Sequence, residues 1–586
     1  MARAVVTRGC PQGGILSPIL WCIVIDSLLV KLNNSGFFTQ GYSDDVSTLI
    51  CGFSVDTVGD LMRTALKIVE VWCIERNLKV NPGKTKVVLF KRTRVDEEKL
   101  GDFVLFNVTL TLRAMVKYLG VIFDNRLTWI LHLEDKLNKT IGIFWMCRNA
   151  FGRTWGLSPK AIWWIYTAVI RPILCHGCVV WWTRVEVGTA KKRLDKLQRL
   201  ACLCMTGVKN STATMALEAL LFLSPLDFFV KASAFKSASN VKGNGWWAAK
   251  SEVGHAAICN LIKEDILQMP SDQCRPELWM DDKFECIVPD ERDWLSEHKT
   301  YPPAGDLICY TDGSKRDGLT GAGFFCESPL LEVSIFTGRY ATVYQTEIFA
   351  ISELCVSEVF KNAVDKSIYI CTDSQSAIAA ISSPIVDSLN VRSCKKILND
   401  IGCSNKVTIL WVPGHAGVSG NERADTLAGA ATSMGDGFIG PEPHFGISKT
   451  TRKKVVNQWL IKQHTNAWRN YDGARHTKLF CKTPSEDVSR QLLNLNRPNI
   501  KRTIEAITNH CGLNKYLFDI GIEGNPKCLC GHGDETGAHI IMDCIRYRRT
   551  RMTVLGKPEL TLCDIGLDKL NVEKLATFLR QTKRLE

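Results

Sequence analysis

Apolar and polar positions change period several times along the chain, and each change marks a different kind of element. Residues 1 to about 135 mix short apolar strands with turn signals such as NPGK, and ILSPILWCIVIDSLLV reads as a buried helix. From about 136 to 300 apolar residues recur at helical spacing, as in AIWWIYTAVI and KKRLDKLQRLACLCM. The YPPAGD turn at 301 then opens an alternation of strands and helices that runs to about 432. Within it, DLICYTDGS predicts a buried strand ending at Asp312. VYQTEIFAISELCVSEVF predicts a helix with Glu347 in its first turns. SIYICTDSQSA predicts a strand ending at Asp373, and VTILWVPGHAG a strand before the helix NERADTLAGAA, which carries Asp425. After the Gly/Pro-rich linker GDGFIGPEPHFG, a basic helical stretch over 445–586 leads to a Cys/His cluster.

Composition narrows the classes. A chain of 586 residues is too long for one hydrophobic core and predicts three or four domains. Hydrophobic content of 46% with 23% charged residues excludes a mostly disordered chain. The net charge of +13 favours a polyanionic partner, although solvated Lys and Arg faces give the same sum. Many of the 24 cysteines lie in apolar runs, and MARAVVTRGC lacks the apolar core of a signal peptide. Most cysteines therefore read as reduced core residues of an intracellular protein. ILSPILWCIVIDSLLV carries Asp26 and is shorter than the ~20 residues of a membrane span. AIWWIYTAVIRPILCHGCVVWW is long enough but holds Arg171, Pro172 and His176 in its middle. Both read as core helices, so no membrane is expected as a partner.

The acids between 306 and 425 carry the first chemistry. Asp312, Glu347, Asp373 and Asp425 each fall at a predicted strand end or helix start, where α/β sheets gather their active sites. Four converging acids repel one another unless cations neutralise them, and two Mg²⁺ ions would do so while activating a water for phosphoryl displacement. A single Asp before a helix also serves as its cap, so the set rather than any member carries the signal. YTDGS, YQTEIFAI, CTDSQSAI and WVPGHAGVSGNERADTLA resemble the four motifs of a type I RNase H domain, over 303–432. The resemblance implies cleavage of the RNA strand of an RNA–DNA hybrid, with Asp312, Glu347, Asp373 and Asp425 holding Mg²⁺. It also makes His415, otherwise read as a solvated loop residue, the mobile group that assists proton transfer and product release. Gly313, Ser314, Ser374 and Gln375 are the expected contacts to the RNA strand.

A second acidic motif, GYSDDV, sets Asp44 beside Asp45. With GCPQGGILSPILW it resembles motifs B and C of a reverse transcriptase palm, followed by LKVNPGKTKVVLF and VKYLGVIFDNRLTW. That resemblance makes Gln12 a template or nucleotide contact and Asp44 a Mg²⁺ ligand supported by Asp45. The third acid belongs on motif A, upstream of Cys10, where MARAVVTRG offers none. The expectation is a truncated palm without polymerase activity, less stable than the rest of the chain. NPGKTK is no phosphate-binding loop, since Leu78 stands where the first glycine is needed.

CLCGHGDETGAHIIMDC offers Cys528, Cys530, His539 and Cys544 to a tetrahedral Zn²⁺, with His532 as a competing ligand. Buried cysteines without metal fit the same spacing. The basic flanks RYRRTRM and RPNIKR suit a nucleic-acid contact. The segment and its order in the chain resemble the C-terminal part of non-LTR retrotransposon polyproteins of the jockey and I-like kind. The expected architecture is thus multidomain, α/β and α. A partial reverse transcriptase palm (1–135) precedes a helical thumb or connection (136–300). An RNase H-like mixed-sheet α/β domain (303–432) precedes a C-terminal helical region (445–586), which contains a small Zn-binding segment (528–544). Implied partners are RNA–DNA hybrid and the element's RNA and DNA, in nucleus and cytoplasm. The alternative function is a nucleic-acid-binding, catalytically inactive remnant.

Overall fold

A computed structural model describes residues 13–91, 96–147, 150–247, 254–289, 304–437 and 444–585. Gln12 lies outside the described residues, as do 301–303 of the YPPAGD turn and 438–443 of the Gly/Pro-rich linker. Contacts divide the chain into two compact units, Met1–Asn138 and Lys139–Glu586.

In the first unit, the helix Ser17–Asn34 buries Ile25, Leu28 and Leu32 against Ala65, Trp72 and Cys73 of the helix Val55–Glu75. Trp72 Nε1 donates to Ser27 Oγ across this contact at 2.9 Å. The strands β1 (Phe38–Tyr42) and β2 (Asp45–Leu49) form a hairpin beside it. Short hairpins β3 (Phe103–Leu105) with β4 (Val108–Leu110), and β5 (Met115–Tyr118) with β6 (Val121–Asp124), follow. The first helix also exposes Ile15 and Leu16 ahead of it, then Ile19, Leu20 and Ile23 on its other face, a solvent-facing apolar stripe.

The second unit is helical at both ends and holds a six-stranded sheet between them. The sheet order is β11–β10–β9–β12–β14–β8. Antiparallel β9 (Leu307–Arg316), β10 (Leu319–Cys326) and β11 (Leu331–Gly338) are followed by parallel β12 (Ser367–Thr372), β14 (Lys406–Trp411) and β8 (Phe284–Ile287). A further strand β7 (Gln273–Leu278) pairs with β13 (Ile385–Ser388). The stretch read as helical to 300 therefore contains two strands, and β8 closes one edge of the sheet. Its pattern FECI is too short for periodicity to separate strand from helix.

The apolar run AIWWIYTAVIRPILCHGCVVWW is a helical pair, Pro159–Cys175 and Cys178–Glu186, bent by 58°. No single described helix is long and apolar enough to cross a membrane. Its Arg171 is buried, donates to Gln198 Oε1 at 3.2 Å and to Ser224 O at 2.9 Å, and lies over the Phe229 ring. The charge that argued against a membrane is an internal crosslink.

Of the described cysteines, 21 are free, in line with the expected reduced core. Cys309 and Cys326 are the exception: they face each other on β9 and β10, Cα atoms 4.3 Å apart, and are joined as a disulfide. Only the hairpin register makes partners of two cysteines 17 residues apart.

The helix Ser419–Ala431 packs on the antiparallel half of the sheet through glycines. A Cβ at Gly323 would lie 2.3 Å from Ala428 N and 2.6 Å from Ala424 O. Gly323→Ala is expected to destabilise the second unit by about 1–3 kcal/mol, because backbone rather than a flexible side chain must give way. Urea unfolding measures it; an unchanged midpoint would mean the helix shifts freely.

Candidate active site

Asp312 lies in the middle of β9, not at its end, because antiparallel pairing with β10 continues to Arg316 opposite Leu319. Next to it, a Cβ on Gly313 would meet Thr346 Oγ1 at 2.4 Å and Glu347 N at 2.7 Å. Glycine thus lets the strand touch the helix Val343–Val356 that carries Glu347. That helix starts with a capping box: Thr342 Oγ1 accepts from Gln345 N–H and Gln345 Oε1 from Thr342 N–H, both at 3.2 Å. Asp373 follows the last residue of β12, as expected. Trp411 Nε1 donates to its carbonyl at 3.1 Å, and Asn421 Nδ2 lies 3.5 Å from its Oδ2. Asn421 was not singled out from the sequence, although it stands inside the GNERAD motif.

Carboxylate oxygens of Asp312, Glu347 and Asp373 lie within 4.8 Å of one another. Asp425, midway along the helix Ser419–Ala431 rather than at its start, stands outside this trio but near enough to act on Asp312. His415 is exposed in the Gly-flanked loop, at φ 53°. A Cβ on Gly414 would lie 2.6 Å from Asp373 Oδ2, so the loop runs directly over that carboxylate.

Burial and mutual repulsion dominate the electrostatics. Desolvation, with Asp373 and Asp425 alongside, pushes the Asp312 carboxyl up to about 7. Glu347 is raised well above its usual range by burial, with Asp312 and Asp373 adding to it. Asp373 is raised by burial too, while Asn421 and His415 pull it back. Glu347 Oε2 is buried and accepts no hydrogen bond among the described residues. A cluster of hard oxygens with an orphaned acceptor fits a Mg²⁺ site.

Of the expected RNA contacts, Ser374 is engaged as a helix N-cap, accepting from Ala377 N–H at 3.3 Å, and Gln375 is exposed. Gly313 packs against the Glu347 helix, and Ser314 is half-buried.

The other two expected sites differ in kind. Asp44 sits in the two-residue turn of the β1–β2 hairpin and Asp45 opens β2 opposite Tyr42; both are exposed. Among the described residues neither joins a cluster of three metal-competent side chains. At the C-terminal end, ligand atoms of Cys528, Cys530, His539 and Cys544 do lie within 4.8 Å of one another. Cys530 Sγ is 3.2 Å from His539 Nε2, and Cys528 Sγ is 3.8 Å from Cys544 Sγ. Asp543 Oδ1 lies 2.8 Å from His539 Nδ1, an outer carboxylate that orients Nε2 toward the thiols. Against desolvation, the His532 N–H and the His539 ring bring the Cys530 thiol down to about 7. The set fits a closed tetrahedral zinc site. His532, the competing ligand, lies outside this set: its ring is exposed, and its backbone N–H donates to Cys530 Sγ at 3.4 Å.

A raised carboxyl in the folded state binds a proton that the unfolded chain has already released. Without metal, its contribution to stability is therefore full below the unfolded value near 4 and declines as pH rises toward about 7. Asp312→Asn is expected to stabilise the metal-free chain by about 1–3 kcal/mol at pH 8 and by little at pH 4, read as the difference between variant and wild-type urea midpoints. A difference independent of pH would contradict the raised carboxyl.

Comparison with known proteins gives the site its context. Residues 2–123 match the reverse transcriptase (RNA-dependent DNA polymerase) family and residues 304–433 the RNase H family. A 115 kDa protein of the type-1 retrotransposable element R1DM of Drosophila melanogaster is 30% identical over 232 residues, 39% of this chain and 22% of that protein. A Pol polyprotein of the type-1 retrotransposable element R1 of Bradysia coprophila is 26% identical over 220 residues, 38% of this chain and 22% of its own length. The match thus spans about a fifth of these relatives. Among solved structures, RNase H1 of Halobacterium salinarum aligns over 22% of this chain and 98% of its own, at 21% identity and a TM-score of 0.18. A reverse transcriptase segment and an RNase H domain stand in this one chain, a relative of the polyproteins of R1-type non-LTR retrotransposable elements.

Proposed function

We propose that the chain is the RNase H-bearing part of a retrotransposon polyprotein and cleaves the RNA strand of RNA–DNA hybrids by metal-dependent phosphodiester hydrolysis. The observation that carries this reading is the trio Asp312, Glu347 and Asp373 within 4.8 Å, with a buried Glu347 oxygen that has no hydrogen-bond partner among the described residues. These residues, with Asp425 beside them, would hold two Mg²⁺ ions, which supply charge neutralisation and an activated water for in-line displacement. Asn421 and Trp411 hold the Asp373 carboxylate and backbone in place. His415, on its exposed loop next to Asp373, takes or gives the proton as the phosphodiester opens. Ser314 and Gln375 border the acids and meet the RNA strand, where the 2′-OH separates RNA from DNA.

Two further assignments belong to this reading. The C-terminal Cys₃His set binds structural Zn²⁺ and, with its basic flanks, holds nucleic acid. The Asp44–Asp45 hairpin, exposed and without a third acid in reach among the described residues, does not by itself support DNA synthesis. On this reading the protein works in both nucleus and cytoplasm.

Cleavage of a labelled RNA–DNA hybrid in Mg²⁺ by the full chain tests the main assignment. Activity is expected, and Asp373→Asn should reduce it to background. Hybrid binding without cleavage would instead favour a nucleic-acid-binding remnant. Metal analysis should find one zinc per chain, lost in Cys544→Ser together with cooperative unfolding of residues 510–585. A zinc-free chain with the same unfolding profile as the variant would sink the zinc assignment. Primer extension by the chain alone should give no product.

A further inference from the structure

The helix that carries Glu347 is anchored from outside the region that matches the RNase H family. Asp272, just before β7 and buried, presents its carboxylate to the start of that helix. Its Oδ2 accepts from Gln345 Nε2 at 2.9 Å, and its Oδ1 from Ser388 Oγ at 2.9 Å and Asn390 N–H at 3.0 Å. Gln345 is the same residue that closes the capping box, and it lies two positions before Glu347. Its Nε2 also donates to Gly446 O at 3.1 Å, and its carbonyl accepts from Asn390 Nδ2 at 2.9 Å. The backbone joins in: Leu389 N–H donates to Asp272 O at 2.6 Å and Asp272 N–H to Ile447 O at 3.0 Å. Segments from before β7, from the Glu347 helix, from the β13 turn and from beyond the linker therefore meet at one buried carboxylate.

The neighbouring strand segment is fixed as firmly. The fully buried Lys395 pairs with Asp282 at 2.7 Å and also donates to Ile381 O and Ser383 O. Lys283 N–H donates to Asn399 Oδ1 at 2.6 Å. The strand that follows Asp272, β7, is itself paired with β13, so the bonds of Asp272 tie the first turn of the Glu347 helix to that strand pair.

We infer that Asp272 is a positioning residue for the metal-binding carboxylates, acting through Gln345 to hold Glu347 against Asp312 and Asp373. The inference rests on the ribonuclease reading for its consequence, but the placement of Glu347 can be measured without turnover. An outer carboxylate that fixes a ligand's support is worth about 10–100-fold in metal affinity or activity.

The test uses the full chain and three variants: Asp272→Asn, Gln345→Glu and the two combined. Asp272→Asn keeps the volume but turns an amide toward Gln345 Nε2, donor against donor. Gln345→Glu sets two carboxylates against each other. Combined, they restore the donor–acceptor pair between the two residues in the opposite direction, while Gly446 O stays without its donor in both chains that carry Glu at 345. Mn²⁺ affinity, with Asp312→Asn defining the specific site, and steady-state hybrid cleavage are the readouts, at a temperature where every variant is folded by circular dichroism. Each single variant is expected to weaken Mn²⁺ binding and lower kcat about tenfold with KM for hybrid unchanged, and the double variant to bind Mn²⁺ and turn over better than Gln345→Glu. Singles that melt earlier yet keep wild-type Mn²⁺ affinity and kcat would overturn the inference and leave Asp272 a structural residue. If one single variant does not fold, the other probes the same bond from the opposite side. A wild-type chain that binds Mn²⁺ at this site but cleaves nothing would overturn the ribonuclease reading, and the affinities would still decide the role of Asp272. A chain that binds no Mn²⁺ there would overturn both.

Discussion

Three carboxylates held within 4.8 Å of one another impose a constraint that much of the second unit is arranged to meet. At an effective dielectric of about 20, each ionised pair at that range repels by about 3 kcal/mol, so the acids would part if their elements could slide. They come from a strand, a helix and a strand end that are remote in sequence. What holds them is backbone in contact with backbone, where Gly313 lets β9 touch the Glu347 helix and Gly323 lets the Asp425 helix touch β10. Raised carboxyls and an unpartnered oxygen are the electrostatic signature of that enforced proximity, and they make the site receptive to cations.

The same unit solves its connection problem with buried cations. Arg551, fully buried, donates to the carbonyls of Ile540, Ile541, Cys544 and Pro558 and so clamps the turn that carries two of the Cys/His ligands. Arg497 reaches Gly152 O, Leu157 O and Cys204 O, tying the C-terminal helices to the connecting region. Lys395 does so beside β8, and Arg171 within the bent helical pair. A guanidinium offers five donors in a fixed fork, which suits it to collecting carbonyls that loops leave unpaired. Part of the net positive charge therefore serves the interior, and only the remainder is available to a polyanion.

The first unit is built differently. Among its described residues the core is two small apolar clusters, the strands pair two by two, and one face of the first helix is apolar and exposed. Two-stranded hairpins have little independent stability, so this unit depends on its helix–helix contact around Trp72.

By itself the sequence pointed to most of the elements, to the four acids at 312, 347, 373 and 425 and to the Cys₃His set, because each depends on local period or on a short motif whose chemistry needs those residue types. Tertiary structure decided what pairing and packing create. The continuation of β9 past Asp312 follows from hairpin register. The Cys309–Cys326 bond follows from the same register, and β8 from a sheet edge supplied by a stretch whose four-residue pattern says nothing alone. That the ring of His532 lies outside the Cys₃His set is likewise a matter of the folded turn, which leaves it exposed. Asp272 stayed illegible because a lone buried Asp has no motif: its meaning lies in Gln345, Ser388 and Asn390, 73 to 118 residues away, and only the folded chain brings their donors to one carboxylate.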